Sequence, residues 1–212
     1  MQQLSDRKYT VADRLMSYGT LVRNTIGPEF ERVGLQYPPK QLILVGLKTE
    51  KILELYASDG IMEPMYIKAY PILAASGSVG PKLREGDMQV PEGIYQIESL
   101  NPNSRFHLSL RVNYPNEFDR EQAKIDGRSQ LGGDIMIHGS QVSVGCLAIG
   151  DQAIEELFVL AADTGLENIR VILSPIDFRI KDVPLISGIP GWTQELYGKI
   201  KEQLQSLQKS QI

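Results

Sequence analysis

The chain has 212 residues, 42% hydrophobic and 23% charged, with a net charge of −4 and a pI near 5.3. That composition suits a globular protein with a real core, and its scattered basic residues argue against nucleic-acid binding through a cationic patch. No apolar stretch approaches the roughly 20 residues needed to span a bilayer. One cysteine and two histidines exclude an intramolecular disulfide and argue against a zinc or histidine-rich centre, so no metal and no cofactor is expected.

The start, MQQLSDRKYT, lacks the charged, apolar, small-residue order of a signal peptide. Residues 11–26 place Val11, Leu15, Leu21 and Val22 near helical spacing; Thr10 can cap the start, and Gly27-Pro28 is the expected stop. In 41–60, two apolar runs flank KTEK, which predicts a β-hairpin. Further strands are predicted at 64–76, 92–100 and 105–113. Between them, 77–93 is rich in glycine and proline and reads as a long irregular loop, the kind of segment that carries function. A strand at 134–138 delivers His138. A helix is predicted over 151–165, capped by Asp151 and stopped by Gly165, with Ile154, Leu157, Phe158 and Ala161 as its stripe. A strand at 169–175 and a helix over 193–208 begun by Thr193 complete the chain, with Trp192 as the helix's staple. The expected fold is α+β: a mostly antiparallel, sandwich-like sheet with helical extensions at both ends.

The only cysteine, Cys146, follows His138 by eight residues in IMIHGSQVSVGCLAIGD. A free thiol is only a few per cent thiolate at neutral pH, and a nearby imidazole can take its proton. Eight extended residues reach roughly 27 Å, so the loop must double back for the two to meet. Gly139 and Gly145 give it turning freedom, and Ser140 and Ser143 can satisfy its backbone. The N–H groups of Gly145 and Cys146 are candidates for an oxyanion hole. The competing reading is a buried structural thiol near a structural histidine.

IHGSQVSVGCLAI (137–149) resembles the signature of the YkuD-type L,D-transpeptidase family, with His138-Gly139 as its first part and Ser143-Val144-Gly145-Cys146 as its second. REGDMQVPEGIYQIESLN (84–101) is similar to a second family stretch, through Pro91, Gly93, Tyr95 and Ile97. The short histidine-to-cysteine interval, Val144 in place of a second histidine, and the missing arginine after the cysteine are features of the YafK-like branch. YPPKQLILVGLKTEKILELYA (37–57), KLREGDMQVPEGIY (82–95) and VNYPNEFDR (112–120) also look like that branch.

The resemblance implies a catalytic domain over 39–178, with helical extensions over 1–38 and 179–212. It implies acyl transfer on peptidoglycan stem peptides: Cys146 attacks a carbonyl at the L-centre of diaminopimelate, His138 moves the proton, and a thioester forms. The carbonyl of Gly139 or Ser140 would orient the imidazole. The shortened loop implies an open acceptor side, so an amine or water could resolve the thioester; hydrolysis would release stem fragments or wall-linked protein. A wall-binding module that has lost catalysis is the rival class. His107, Lys82, Arg84 and Tyr114 are candidates for lining the substrate groove, the two cations meeting stem carboxylates. The resemblance also implies work on the wall side of the inner membrane, periplasmic or otherwise exported, with the signal or anchor outside this chain.

Overall fold

The computed structural model describes residues 8–143, 145–182 and 188–207. Helix α1 (Val11–Arg32) opens on a capping box: Thr10 Oγ1 accepts from the Asp13 N–H at 3.1 Å, and the Asp13 carboxylate accepts from the Thr10 N–H at 2.8 Å. The expected stop at Gly27-Pro28 does not occur; the helix runs through Pro28 to Arg32. A mid-helix proline costs about 3 kcal/mol. Burial of Ile26 and Phe30, both 0% exposed, offsets it, since each such side chain contributes about 1.5–3 kcal/mol. The core-facing stripe is Gly19, Val22, Ile26 and Phe30, while Leu21 faces solvent.

The hairpin forms as expected, β1 (Gln41–Leu47) pairing antiparallel with β2 (Ile52–Ser58). Strand β3 (Met65–Pro71) extends it, and β4 (Ala74–Ala75) is a short separate strand where a single longer one was expected. Strand β5 (Gly93–Ser104) is long and bent, with register shifts at 97–99 and 101–104. Its first half pairs with β9 (Ile169–Ser174) and its second half with β6 (His107–Val112). Through that bend the described strands form one sheet in the order β3-β2-β1-β9-β5-β6-β7-β8-β4, where β7 is Met136–His138 and β8 is Leu147–Ala148. Most pairings are antiparallel; β1–β9 and β7–β8 are parallel.

A helix absent from the sequence reading, α2 (Glu117–Ile125), follows β6 and starts on a capping box between Asn116 and Asp119. Its Pro-Asn-Glu-Phe-Asp start reads as a turn because Ala123 is its only buried residue, leaving little apolar periodicity. Helix α3 (Asp151–Thr164) buries Ile154, Leu157, Phe158 and Ala161 as expected. Its N-cap is Gly150 rather than Asp151, because the Asp151 carboxylate is used elsewhere, accepting from the Ser140 N–H at 2.7 Å. Helix α4 (Thr193–Gln205) begins at Trp192, and Thr193 makes no side-chain cap: its hydroxyl is buried and points inward. Residue 208, the expected end of that helix, lies outside the described residues. Trp192 does anchor this end, donating to Asp126 Oδ2 at 2.9 Å and meeting Phe118 edge-on.

Two apolar clusters straddle the sheet. One joins α1 and α3 to Leu108, Leu110, Ile137 and Leu147; the other joins α4 to Ile43, Val45 and Ile172. Among the described residues no helix is long and apolar enough to cross a membrane.

Candidate active site

Strand pairing places the two candidate residues. Leu110, Ile137 and Leu147 lie side by side across β6, β7 and β8 and face the α1–α3 core. Side chains alternate faces along a strand, so the neighbouring row, Ser109, His138 and Ala148, belongs to the other face. Cys146 immediately precedes β8; its sulfur meets the Met136 N–H of β7, and no hydrogen bond joins it to His138 Nε2. The parallel β7–β8 pairing is what folds the eight-residue interval back on itself.

The imidazole is well defined. His138 is 1% exposed, and its Nδ1 lies 2.6 Å from the Gly139 carbonyl oxygen. A carbonyl only accepts, so Nδ1 carries the proton and Nε2 is the basic nitrogen. Nε2 is buried and has no hydrogen-bond partner. Burial holds the imidazole pKa below its ordinary value, partly countered by the Gly139 hydrogen bond. Phe106 stacks on the ring at 4.6 Å between centroids. Nothing in RFHLSL marks Phe106 for that role, because its placement depends on the β5–β6 turn.

Gly139 has to be glycine. A Cβ there would lie 2.6 Å from Asp151 Oδ1 and 2.7 Å from the Phe106 carbonyl oxygen. Ser140, at φ 63°, turns the chain so that its N–H meets Asp151 and its carbonyl accepts from the Gly150 N–H.

Cys146 is half-buried. Its sulfur accepts from the Met136 N–H at 3.4 Å, and the thiol donates to the Asp134 carbonyl at 3.5 Å. Burial pushes the thiol pKa up, and the charge of Asp134 adds to that; the Met136 N–H and the charge of Lys82 oppose it. With the thiol shifted up and the imidazole down, the resting pair is neutral at pH 7.

The two expected oxyanion donors are already engaged. The Gly145 N–H donates to Ser76 Oγ at 2.6 Å, and the Cys146 N–H donates to Ser143 Oγ at 3.1 Å. Ser143 also donates to the Cys146 carbonyl at 2.6 Å, closing a small ring under the nucleophile. Gly145 sits at φ 79°, the left-handed region that favours glycine. Val144 lies outside the described residues.

The groove candidates mostly have other employment. His107 turns away: its Nε2 is 2.7 Å from Glu155 Oε1 on α3, and its ring meets Tyr18 of α1 edge-on. The register shift between Asn101 and Ser104 and the positive φ of His107 (74°) redirect it. Lys82 is buried, ion-paired to Asp87 at 2.6 Å and donating to the Arg84 carbonyl at 2.9 Å. It therefore braces the irregular loop and acts on Cys146 only through its charge. Tyr114 is a buried anchor whose hydroxyl donates to the Leu131 carbonyl at 3.2 Å. Arg84 is exposed on the loop tip. Besides Phe106, the sequence reading missed Ser76 and Ser109. Ser109 lies directly opposite His138, and its buried hydroxyl, like Nε2, has no hydrogen-bond partner. Among the described residues no group of three or more histidine, cysteine or acidic side chains could hold a metal ion.

The fold and this site define an α+β domain with an oriented histidine at the end of β7 and a cysteine just ahead of the adjoining β8. Residues 40–172 match the YkuD family, the L,D-transpeptidase catalytic domain. The match covers well over half of the chain, and the protein belongs to this family, which acts on peptidoglycan. The chain is 34% identical over 140 residues to the Escherichia coli (strain K12) protein named "Putative L,D-transpeptidase YafK", covering 64% of this chain and 53% of that protein. It thus spans about half the length of that relative. Among solved structures, the helical cell shape determining protein Pgp2 of Campylobacter jejuni superposes with a TM-score of 0.52 at 23% identity, covering 69% of this chain and 50% of that one. At that identity the likeness bears on the fold alone.

Proposed function

We propose that the chain is a peptidoglycan-modifying cysteine acyl-transfer enzyme working at the L-centre of diaminopimelate in stem peptides. The observation that carries this reading is the oriented imidazole: Nδ1 is committed to the Gly139 carbonyl and Nε2 is uncommitted, at the end of the strand that pairs with β8, which Cys146 immediately precedes. The catalytic unit is 39–178, with the flanking helical segments 1–38 and 179–212 as extensions.

In the proposed reaction, Nε2 takes the thiol proton as sulfur attacks the carbonyl, because a neutral pair must pass the proton within the step. The developing oxyanion takes the Cys146 N–H from Ser143, whose bond is longer than the one Ser76 makes to the Gly145 N–H. His138 then protonates the departing amine, leaving a thioester on Cys146. An amine or a water, deprotonated by the same nitrogen, attacks the thioester and restores the thiol. The first outcome is transfer and the second is hydrolysis. Arg84, the exposed one of the two candidate cations, is proposed to meet a stem carboxylate. Work on this substrate places the protein on the wall side of the membrane, periplasmic or otherwise exported.

The test is incubation with purified sacculi carrying bound protein, followed by mass analysis of muropeptides. New diaminopimelate–diaminopimelate links report transfer; freed protein or shortened stems report hydrolysis. Cys146→Ala is expected to abolish both. Turnover retained by that variant ends the proposal, and wall binding without turnover by the wild type would leave a binding module.

A further inference from the structure

We infer that Ser76, just past β4, is a positioning residue for the nucleophile, fixing the Gly145–Cys146 turn to the rigid loop that borders it. This rests on the proposed role of Cys146. Three observations combine. First, Ser76 Oγ accepts from the Gly145 N–H at 2.6 Å and donates to the Met88 carbonyl at 2.7 Å, so one hydroxyl joins residues far apart in sequence. Second, Met88 belongs to a braced loop. The Asp87 carboxylate accepts from the N–H groups of Leu83, Arg84 and Gln89 at 2.8, 3.0 and 3.1 Å and from Lys82 Nζ at 2.6 Å. The side chain of Gln89 reaches across to the Ser78 N–H at 3.0 Å.

Third, the neck of the loop is closed by a buried ion pair. Lys48 Nζ lies 2.8 Å from Glu92 Oε1 and also donates to the carbonyls of Gly80 and Val90; the Gly80 N–H donates to that same Glu92 oxygen. Tyr197 of α4 donates to the other Glu92 oxygen at 2.6 Å. The Met88 carbonyl is therefore a fixed point, and Ser76 transmits that fixity to the peptide before the nucleophile. Gly145 needs such a tether because its backbone freedom would otherwise let the sulfur wander. A displacement of about 1 Å at a reacting atom can cost about 10²-fold.

The experiment compares Ser76→Ala, Ser76→Thr and Ser76→Val with wild type and Cys146→Ala, using muropeptide turnover, iodoacetamide alkylation of Cys146 and thermal melting. Ser76→Ala is expected to lower kcat about tenfold, the scale of one hydrogen bond, with KM within about twofold and melting lowered by only a few degrees, about 2–4 °C per kcal/mol at this size. Ser76→Thr should restore kcat and Ser76→Val should not, since the two differ by hydroxyl against methyl; that pair carries the comparison if Ser76→Ala does not fold. Wild-type kcat in both Ser76→Ala and Ser76→Val overturns the inference, as does a rise in kcat, which would mean that the hydroxyl blocks an oxyanion site. Turnover in Cys146→Ala would instead overturn the proposed function, so the two failures are distinct.

Discussion

The two histidines of the chain end in opposite circumstances. His107 lies at the start of β6, half-exposed, with its Nε2 spent on Glu155 and its ring against Tyr18. His138 lies at the end of β7, buried, with one nitrogen held by a carbonyl and the other unspent. Both sit in strands, and the first has the carboxylate neighbour that a sequence reader looks for. What fits a histidine for proton transfer is an uncommitted basic nitrogen near the segment that carries the thiol. For His107, a carboxylate partner on α3 consumes the nitrogen instead.

Several variants can break or sharpen that contrast. The largest effect is expected at the nucleophile: Cys146→Ala should lower turnover by about 10⁴-fold or more, checked by muropeptide analysis. His138→Gln should cost about 10²–10⁴-fold, the usual contribution of a positioned acid–base group, with sacculus binding retained in a pull-down assay. Gly139→Ala should cost stability as well as activity. Its Cβ would meet Asp151 Oδ1 and the Phe106 carbonyl at 2.6 and 2.7 Å, and overpacking of this kind costs about 1–3 kcal/mol, readable by urea unfolding.

The pH dependence reports on His138. The imidazole of His138 is shifted down, so the basic form persists below the ordinary histidine range and the acid limb of kcat/KM should fall there. The same shift has a stability consequence. The unfolded chain takes the proton first as pH falls, so this contribution is complete above the ordinary imidazole pKa and is lost through the lower folded one. His138→Gln should remove that part of the acid slope in unfolding titrations. Cys146 is shifted up, so its alkylation rate should reach half-maximum above the ordinary thiol pKa; a midpoint below it would contradict a neutral resting pair. The smallest effect belongs to His107→Gln. The pair is about a quarter exposed at the histidine side chain, which limits its worth to under about 1 kcal/mol. Turnover within about twofold of wild type is expected; a loss comparable to His138→Gln would erase the contrast between the rings.

The sequence by itself determined a good deal. Alternation and turn residues were enough for β1–β2, for α3 with its buried stripe, and for a strand that ends on His138. These are local or short-range signals, where side-chain period and backbone freedom speak directly. The resemblance to the YkuD-type family also named the Gly139 carbonyl as one of two candidates to orient the ring, and it is the one that meets Nδ1.

Tertiary structure alone decided the rest. Whether α1 stops at Pro28 depends on the core awaiting Phe30, and whether Asp151 caps α3 depends on Ser140 claiming its carboxylate first. Lys82 and Tyr114 look available in a loop and are consumed inside it, while Ser76, Ser109 and Phe106 look ordinary and stand at the site. The physical reason is the same each time. A polar group makes its bonds with whatever the fold brings within about 3 Å, and long-range strand pairing, which no local pattern encodes, decides what that is.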